Sequence, residues 1–187
     1  MMQNKKDCHP ERSAAEPKDL LLQRPVSDGG DSSADGLRMT DICFSPLQPA
    51  HIDQMAQIEI ECFSVPWSRE ALEEELENPY AHYVVCCDPH GNVMGYIGSR
   101  IVLDEADITN VAVRPQYRRR GIAARLVSMM LEHMAEKGVA TVLLEVRESN
   151  LPAQNCYAQA GFTVVGRRKN YYELPKEDAL LMGRQLV

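Results

Sequence analysis

From residue 41 onward the chain alternates between two apolar periods. "DICFSPL" (41–47) reads as a first strand, and "PAHIDQMAQIEIECF" (49–63) sets Ile52, Met55, Ile58 and Cys62 at helical spacing. Ser68 caps a second helix, "REALEEELENP", which Pro79 ends. "AHYVVCCD" and "NVMGYIGSRIVLD" flank the turn-rich "PHGN" as a hairpin, and "ADITNVAVRP" (106–115) is a further strand closed by Pro115. A helix over about 119–137 puts Ile122, Leu126, Met129, Met130 and Met134 on one face and stops at Gly138. "ATVLLEVRE" (140–148) is strongly strand-like. "NLPAQNCYAQAG" (150–161) is a short helix between an Asn150 cap and Gly161, and "FTVVGRRKNYY" and "DALLMGRQL" close the chain as two strands. The order β-α-α-β-β-β-α-β-α-β-β predicts an α/β fold, a mixed sheet with helices on both faces.

Residues 1–38 lack this patterning. They mix Pro, Ser, Asp and Gly with no sustained apolar period, which predicts a disordered extension before a single domain over 39–187. Met39, directly ahead of the first organised segment, is a candidate start of translation. No apolar run approaches the roughly 20 residues of a membrane span, and Leu20-Leu21-Leu22 is too short for a signal-peptide core. The six cysteines form no CxxC pair and have no histidine at zinc-ligand spacing, so reduced thiols, no metal and a cytoplasmic protein are expected.

The net charge of −7 changes how one segment reads. "QYRRRGIAARL" (116–126) packs Arg118, Arg119 and Arg120 against Gly121 where a helix begins. In an acidic chain such a cluster suits one small anion better than a polynucleotide or an anionic membrane. Backbone N–H groups at a helix start have no internal partner, and the helix dipole adds positive potential there. Gly121 admits a phosphate close to the backbone and Ala123 is nearly as small, while the arginines add charge-assisted contacts. There is neither a GxGxxG after a strand nor a Gly-Lys-Ser/Thr. A merely solvated arginine run is the competing reading, though cations at that end cost roughly several tenths of a kcal/mol each.

"VAVRPQYRRRGIAARLV" resembles the acetyl-CoA-binding segment of the GCN5-related N-acetyltransferases, with Arg118, Gly121 and Ala123 in the places of its Gln/Arg-x-x-Gly-x-Gly/Ala loop. The resemblance spans roughly residues 41–187. It implies the GNAT fold, with a mostly antiparallel central sheet, and acetyl-CoA as co-substrate. The pyrophosphate would sit on the backbone of Arg119, Arg120, Gly121, Ile122, Ala123 and Ala124. "PWS", "LDEADITNVAV", "LLEVRESN", "CYAQAGF" and "RRKNYY" together resemble a narrower group, the ribosomal-protein alanine N-acetyltransferases. The partner this implies is the N-terminal alanine of a small-subunit ribosomal protein.

Attack by an α-amino group, whose pKa is about 8, needs a proton acceptor near neutrality. Alternation along "TVLLEVRE" puts Val142, Leu144 and Val146 on one face and Leu143, Glu145 and Arg147 on the other. Burial on an apolar strand would make Glu145 a stronger base, and the resemblance assigns it that role. An ordinary salt bridge to Arg147 or another arginine is the alternative. Tyr157, in the "YxxxGF" pattern, carries the family's general acid, or else packs as a core aromatic beside Phe162. Cys156 raises an acyl-cysteine route, which lacks a histidine nearby in sequence to activate the thiol.

By the same resemblance the backbone of Val111, Ala112 and Val113, on a splayed strand, meets the acetyl and pantetheine portions. Asn150 is a cofactor contact by resemblance and a helix cap by position. On the acceptor side, Trp67 walls a peptide channel or packs a helix on the sheet, and Tyr171 and Tyr172 are peptide contacts or cross-strand pairs. Asp104, Glu105, Asp107 and the Glu70–Glu77 run favour a cationic acceptor, or form a plain acidic surface. Two other functions fit the same cofactor site: an acetyltransferase of a small amine such as a polyamine or amino sugar, and a catalytically silent coenzyme A-binding module.

Overall fold

A computed structural model describes residues 41–186. The expectations for the 1–38 extension and for Met39 lie outside the described residues. The elements follow the expected order: β1 (Cys43–Pro46), α1 (Ile52–Cys62), α2 (Arg69–Glu74), β2 (Ala81–Cys87), β3 (Val93–Val102), β4 (Glu105–Val113), α3 (Ile122–Glu136), β5 (Thr141–Arg147), α4 (Leu151–Gln159), β6 (Thr163–Glu173) and β7 (Lys176–Gln185). One seven-stranded sheet runs β1-β2-β3-β4-β5-β7-β6, antiparallel except where β4 meets β5. That one parallel contact follows from α3, which carries the chain back across the sheet before β5 begins.

Two cores form, one on each face. The α3 face buries Ile122, Leu126, Met130 and Met134 against Val84, Cys86, Ile97, Val142, Leu144 and Val146. The α1/α2 face buries Ile52, Met55, Ile58 and Leu72 against Tyr83, Val85, Tyr96 and Ala112. β2 supplies alternate residues to both, which explains the near-continuous apolar run of its sequence.

β4 departs from regular pairing in a way that shapes the rest. On its β3 side the register passes from Gly98↔Asn110 to Ser99↔Ile108, leaving Thr109 as an extra residue in a bulge. Ala106 and Ile108 therefore face α3 before the bulge, and Val111 and Val113 face it afterwards, while Ala112 turns to α1. On its other side, pairing with β5 stops at Ile108↔Leu144, although β4 runs on to Val113 and β5 to Arg147. The two strands part beyond the bulge.

Two boundaries differ from expectation. α2 ends at Glu74, well before Pro79, because Leu76 and Glu77 bond back to Glu73 and Glu74 in tighter turns. α3 starts at Ile122, three residues late, because Arg119 (φ 62°) and Gly121 (φ 77°) are left-handed and cannot belong to the helix. The arginine run thus occupies the loop ahead of the helix rather than its first turn.

Gly95 shows how tightly the parted strand is held from behind. A Cβ there would lie 2.5 Å from the Ala112 carbonyl oxygen and 3.1 Å from Val113 Cα, both backbone atoms that cannot swing aside. Gly95→Ala should lower unfolding stability by about 1–3 kcal/mol, read as a reduced urea midpoint at unchanged m value.

Candidate active site

Beyond the bulge, the β4 edge facing β5 has no strand partner. Arg114 N–H bonds to Met94 O on the β3 side at 2.9 Å, whereas Val113 O accepts from Arg118 Nε at 3.0 Å on the open side. Main-chain groups of consecutive residues point to opposite edges of a strand. Val111 and Val113 therefore present their amides to the opening. Ala112 does not: its carbonyl sits over Gly95 on β3. Of the three backbone contacts expected from sequence, Ala112 is corrected on this ground.

The loop after β4 makes the second part of the site. The first hydrogen bond of α3 runs from Arg125 N–H to Gly121 O at 3.0 Å, so the amides of Ile122, Ala123 and Ala124 precede the helical ladder. Gly121 is left-handed with nothing within 4 Å of a Cβ position, leaving its approach open. The arginines behave differently from expectation. Arg118 folds back, its Nε on Val113 O and its terminal nitrogen 3.4 Å from Cys62 Sγ, tying the loop to β4 and α1. Arg120 bonds to Gln116 O at 3.3 Å and stacks 5.7 Å from the Tyr117 ring centroid. Arg118 is thus engaged with β4 and α1, and the backbone amides ahead of the helical ladder are the candidate anion cradle. Arg119 is exposed beside it.

Glu145 and Tyr157 lie on opposite faces of the sheet. Leu144 and Val146 point into the α3 core, so Glu145 faces the α1/α2 side, while Tyr157 on α4 belongs to the α3 core. The gap between β4 and β5 joins the two sides. Glu145 is not isolated in apolar surroundings as its strand suggested. Its side chain is 20% exposed and pairs with Arg168 at 3.0 Å. The salt-bridge reading is thus realised, with Arg168 rather than Arg147, and leaves the second carboxylate oxygen available.

Tyr157 is 8% exposed and packs edge-on to Phe162 at 6.0 Å between ring centroids. Burial foremost, then the neighbouring Cys156 and Tyr172, push its phenol well above the ordinary tyrosine range. It is therefore protonated at neutral pH. Burial also pushes the Cys156 thiol up, against a nucleophilic role. Asn150 caps α4, accepting from Ala153 N–H at 3.2 Å.

The acceptor face carries Glu105 and Asp107, which the pairing of β4 with β5 puts beside Thr141 and Leu143 on the Glu145 side. The Glu70–Glu77 run divides: Glu73 pairs with Arg69, and Glu75 is buried between Tyr83 and Arg100. Trp67 packs against the α1/α2 core and gives its backbone N–H to Glu59, which favours the packing reading. Tyr172 donates to Glu145 O at 3.4 Å and stacks edge-on with Tyr171 at 5.1 Å. A cleft of about 960 Å3 runs between α3 and α4 past Ser128, Cys156, Gly161 and Arg184. Glu145 and Tyr157 do not line it.

Sequence reasoning missed a buried hub. Glu59, fully enclosed, accepts from Tyr96 OH, from Asn110 Nδ2 at 3.0 Å and from Trp67 N–H at 2.8 Å. It links α1, the loop after it and the residue beside the bulge. Its signal was visible: Glu59 interrupts the apolar stripe of Ile52, Met55 and Cys62. Among the described residues, no three His, Cys, Asp or Glu side chains are arranged to hold a metal, and no helix is long and apolar enough to cross a membrane.

Comparison with known proteins bears on this geometry. Residues 52–162 match the model of the acetyltransferase (GNAT) family. The chain is 31% identical over 141 residues to an Escherichia coli K12 protein named [ribosomal protein bS18]-alanine N-acetyltransferase, covering 74% of this chain and 94% of that one. A Bacillus subtilis relative, which bears the same name provisionally, is 44% identical over 132 residues, 70% of this chain and 87% of its own. The crystal structure of the E. coli ribosomal-protein-S18-alanine N-acetyltransferase superposes with a TM-score of 0.72 at 29% identity, over 78% of this chain and 94% of that one. Arabidopsis thaliana NAA60, solved with acetyl-CoA, shares the fold at a TM-score of 0.71 and 22% identity, over 78% of this chain and 98% of its own.

The buried phenols give a pH prediction. Tyr157 is raised in the folded state, so above about pH 10 the unfolded chain loses the proton that the folded chain keeps. The stability contributed is complete below pH 10 and falls by about 1.4 kcal/mol per pH unit above it. Chemical denaturation between pH 9 and 11 should show this loss, and Tyr157→Phe should lessen its slope by one proton.

Proposed function

The chain belongs to the GNAT family of acetyltransferases, and from that premise we propose that it transfers acetyl from acetyl-CoA to the N-terminal alanine of a small-subunit ribosomal protein, the bS18 substrate named for its relatives. The observation that carries this reading is the opening between β4 and β5, with Glu145 on one face and Tyr157 on the other. Acyl transfer needs two reactants to meet from opposite sides of one gap, with a base behind the first and an acid beside the leaving group of the second.

The co-substrate supplies an activated thioester. Val111 and Val113 offer amides from the unpaired edge to its acetyl and pantetheine groups, and an N–H aimed at the carbonyl oxygen stabilises charge that develops there. Arg119 to Ala124 receive the pyrophosphate on their backbone, and Arg118 holds that loop against β4. Asn150 fixes the start of α4 and with it Tyr157.

On the acceptor face, Glu145 takes a proton from the terminal ammonium or the attacking amine, directly or through water. Arg168 orients the carboxylate at 3.0 Å. Tyr157, which burial keeps protonated at neutral pH, gives its proton to the departing thiolate. Glu105 and Asp107 add a negative field suited to a basic protein terminus. An intracellular substrate of this kind implies action in the cytoplasm.

The test is mass spectrometry of acetyl transfer to an alanine-starting basic peptide, the same peptide with a blocked terminus, and spermidine. The free-terminus peptide alone should be acetylated. Transfer to spermidine alone would make the protein a small-amine acetyltransferase. Binding of acetyl-CoA without transfer to any acceptor would leave a silent module. Glu145→Gln and Tyr157→Phe should each lower kcat by about 10²–10⁴-fold, with acetyl-CoA affinity retained in isothermal titration.

A further inference from the structure

Arg147, the last residue of β5, stands on the same face as Glu145 and takes no part in the chemistry above. Its guanidinium binds segments far apart in sequence. One terminal nitrogen donates to Ser64 Oγ at 3.1 Å, in the loop between α1 and α2, and to Leu174 O at 2.8 Å. The other donates to Pro175 O at 3.1 Å and to the Glu177 carboxylate at 3.1 Å, at the β6–β7 turn. Ser64 itself donates to Leu174 O, closing the two loops on each other.

The guanidinium also lies 4.1 Å from the Tyr172 ring centroid, and Tyr172 in turn donates to Glu145 O. Glu177 accepts from Ser149 N–H as well, so the turn is fastened to the chain leaving β5. The Arg147–Glu177 pair is partly enclosed, with 22% and 16% of the two side chains exposed, which sets it apart from a surface ion pair.

We propose that Arg147 is a positioning residue for the acceptor: it pins the α1–α2 loop and the β6–β7 turn together over the strand that carries Glu145. Resting on the peptide-acceptor reading above, this makes the two joined loops one wall of the acceptor channel, held in place by one planar fork. An extended peptide terminus passes beside this closure, along the face that carries Glu145. Released, the loops separate and the peptide loses the contacts that align its amine. The cofactor side, built from β4 and the start of α3, shares none of these bonds. Lysine cannot replace the fork, because its ammonium carries three donors on one nitrogen and lacks the planar geometry that serves four acceptors.

Steady-state kinetics with the alanine-starting basic peptide test this in Arg147→Ala, Arg147→Lys and Ser64→Ala. The peptide KM should rise about tenfold or more in Arg147→Ala and to a lesser extent in the other two, while the acetyl-CoA KM stays within about twofold. In the double variant Ser64→Ala/Arg147→Ala the peptide KM should rise at least as far as in Arg147→Ala alone, because Ser64 also bonds Leu174 O directly. A peptide KM unchanged in Arg147→Ala, or acetyl-CoA and peptide KM rising together, overturns the proposal. If Arg147→Ala does not fold, Arg147→Lys and Ser64→Ala carry the same test, and unchanged peptide KM in both overturns it. Absence of peptide acetylation by the unaltered protein would instead defeat the acceptor reading itself.

Discussion

One interrupted strand pairing organises this molecule. β4 and β5 are hydrogen-bonded from Glu105↔Thr141 to Ile108↔Leu144 and then separate. The Thr109 bulge sits where they part, adding twist and bending β4 away. Inside a sheet, unpaired backbone amides are costly unless something else satisfies them. Here part of the deficit is met from within, by Arg118 on the Val113 carbonyl. The amides of Val111 and Val113 face the opening, where the co-substrate is proposed to bind. Without that gap Glu145 and Tyr157 would be separated by a closed sheet.

Buried polar contacts brace the gap on the acceptor side. Glu59 gathers Tyr96, Asn110 and the Trp67 backbone, which ties α1 to the loop after it and to the residue beside the bulge. Cys62 touches both Arg118 and Val113 O, which connects the end of α1 to the cofactor loop. The two groups proposed for catalysis differ in environment. The proposed acid is enclosed and keeps its proton, and the proposed base is partly open and ion-paired.

The order of elements was legible because each strand and helix has a clean period and a chemical stop, such as Ser68, Pro115, Gly138 and Asn150. The bulge was legible too, though the sequence reading passed over it. Apolar positions run 106 and 108, then 111 and 113, so the alternation changes parity at Thr109. That shift is what divides Val111 and Val113 from Ala112. What sequence did not contain were the partners. Arg118 and Arg120 read as phosphate ligands because charge is visible in a sequence, while the carbonyls they bind are not. Arg147 alternates onto the face of Glu145, yet its bonds to Ser64 and Leu174 depend on two loops meeting across the sheet.

Amide hydrogen exchange with and without acetyl-CoA tests the central claim most directly, that the parted edge of β4 and the start of α3 together form the cofactor site. Val111, Val113 and the amides from Arg119 to Ala124 should gain protection together on binding, with Ala112, already turned to β3, unchanged. Protection confined to the α3–α4 cleft around Gly161 and Arg184, with the β4 edge still exchanging freely, would contradict it.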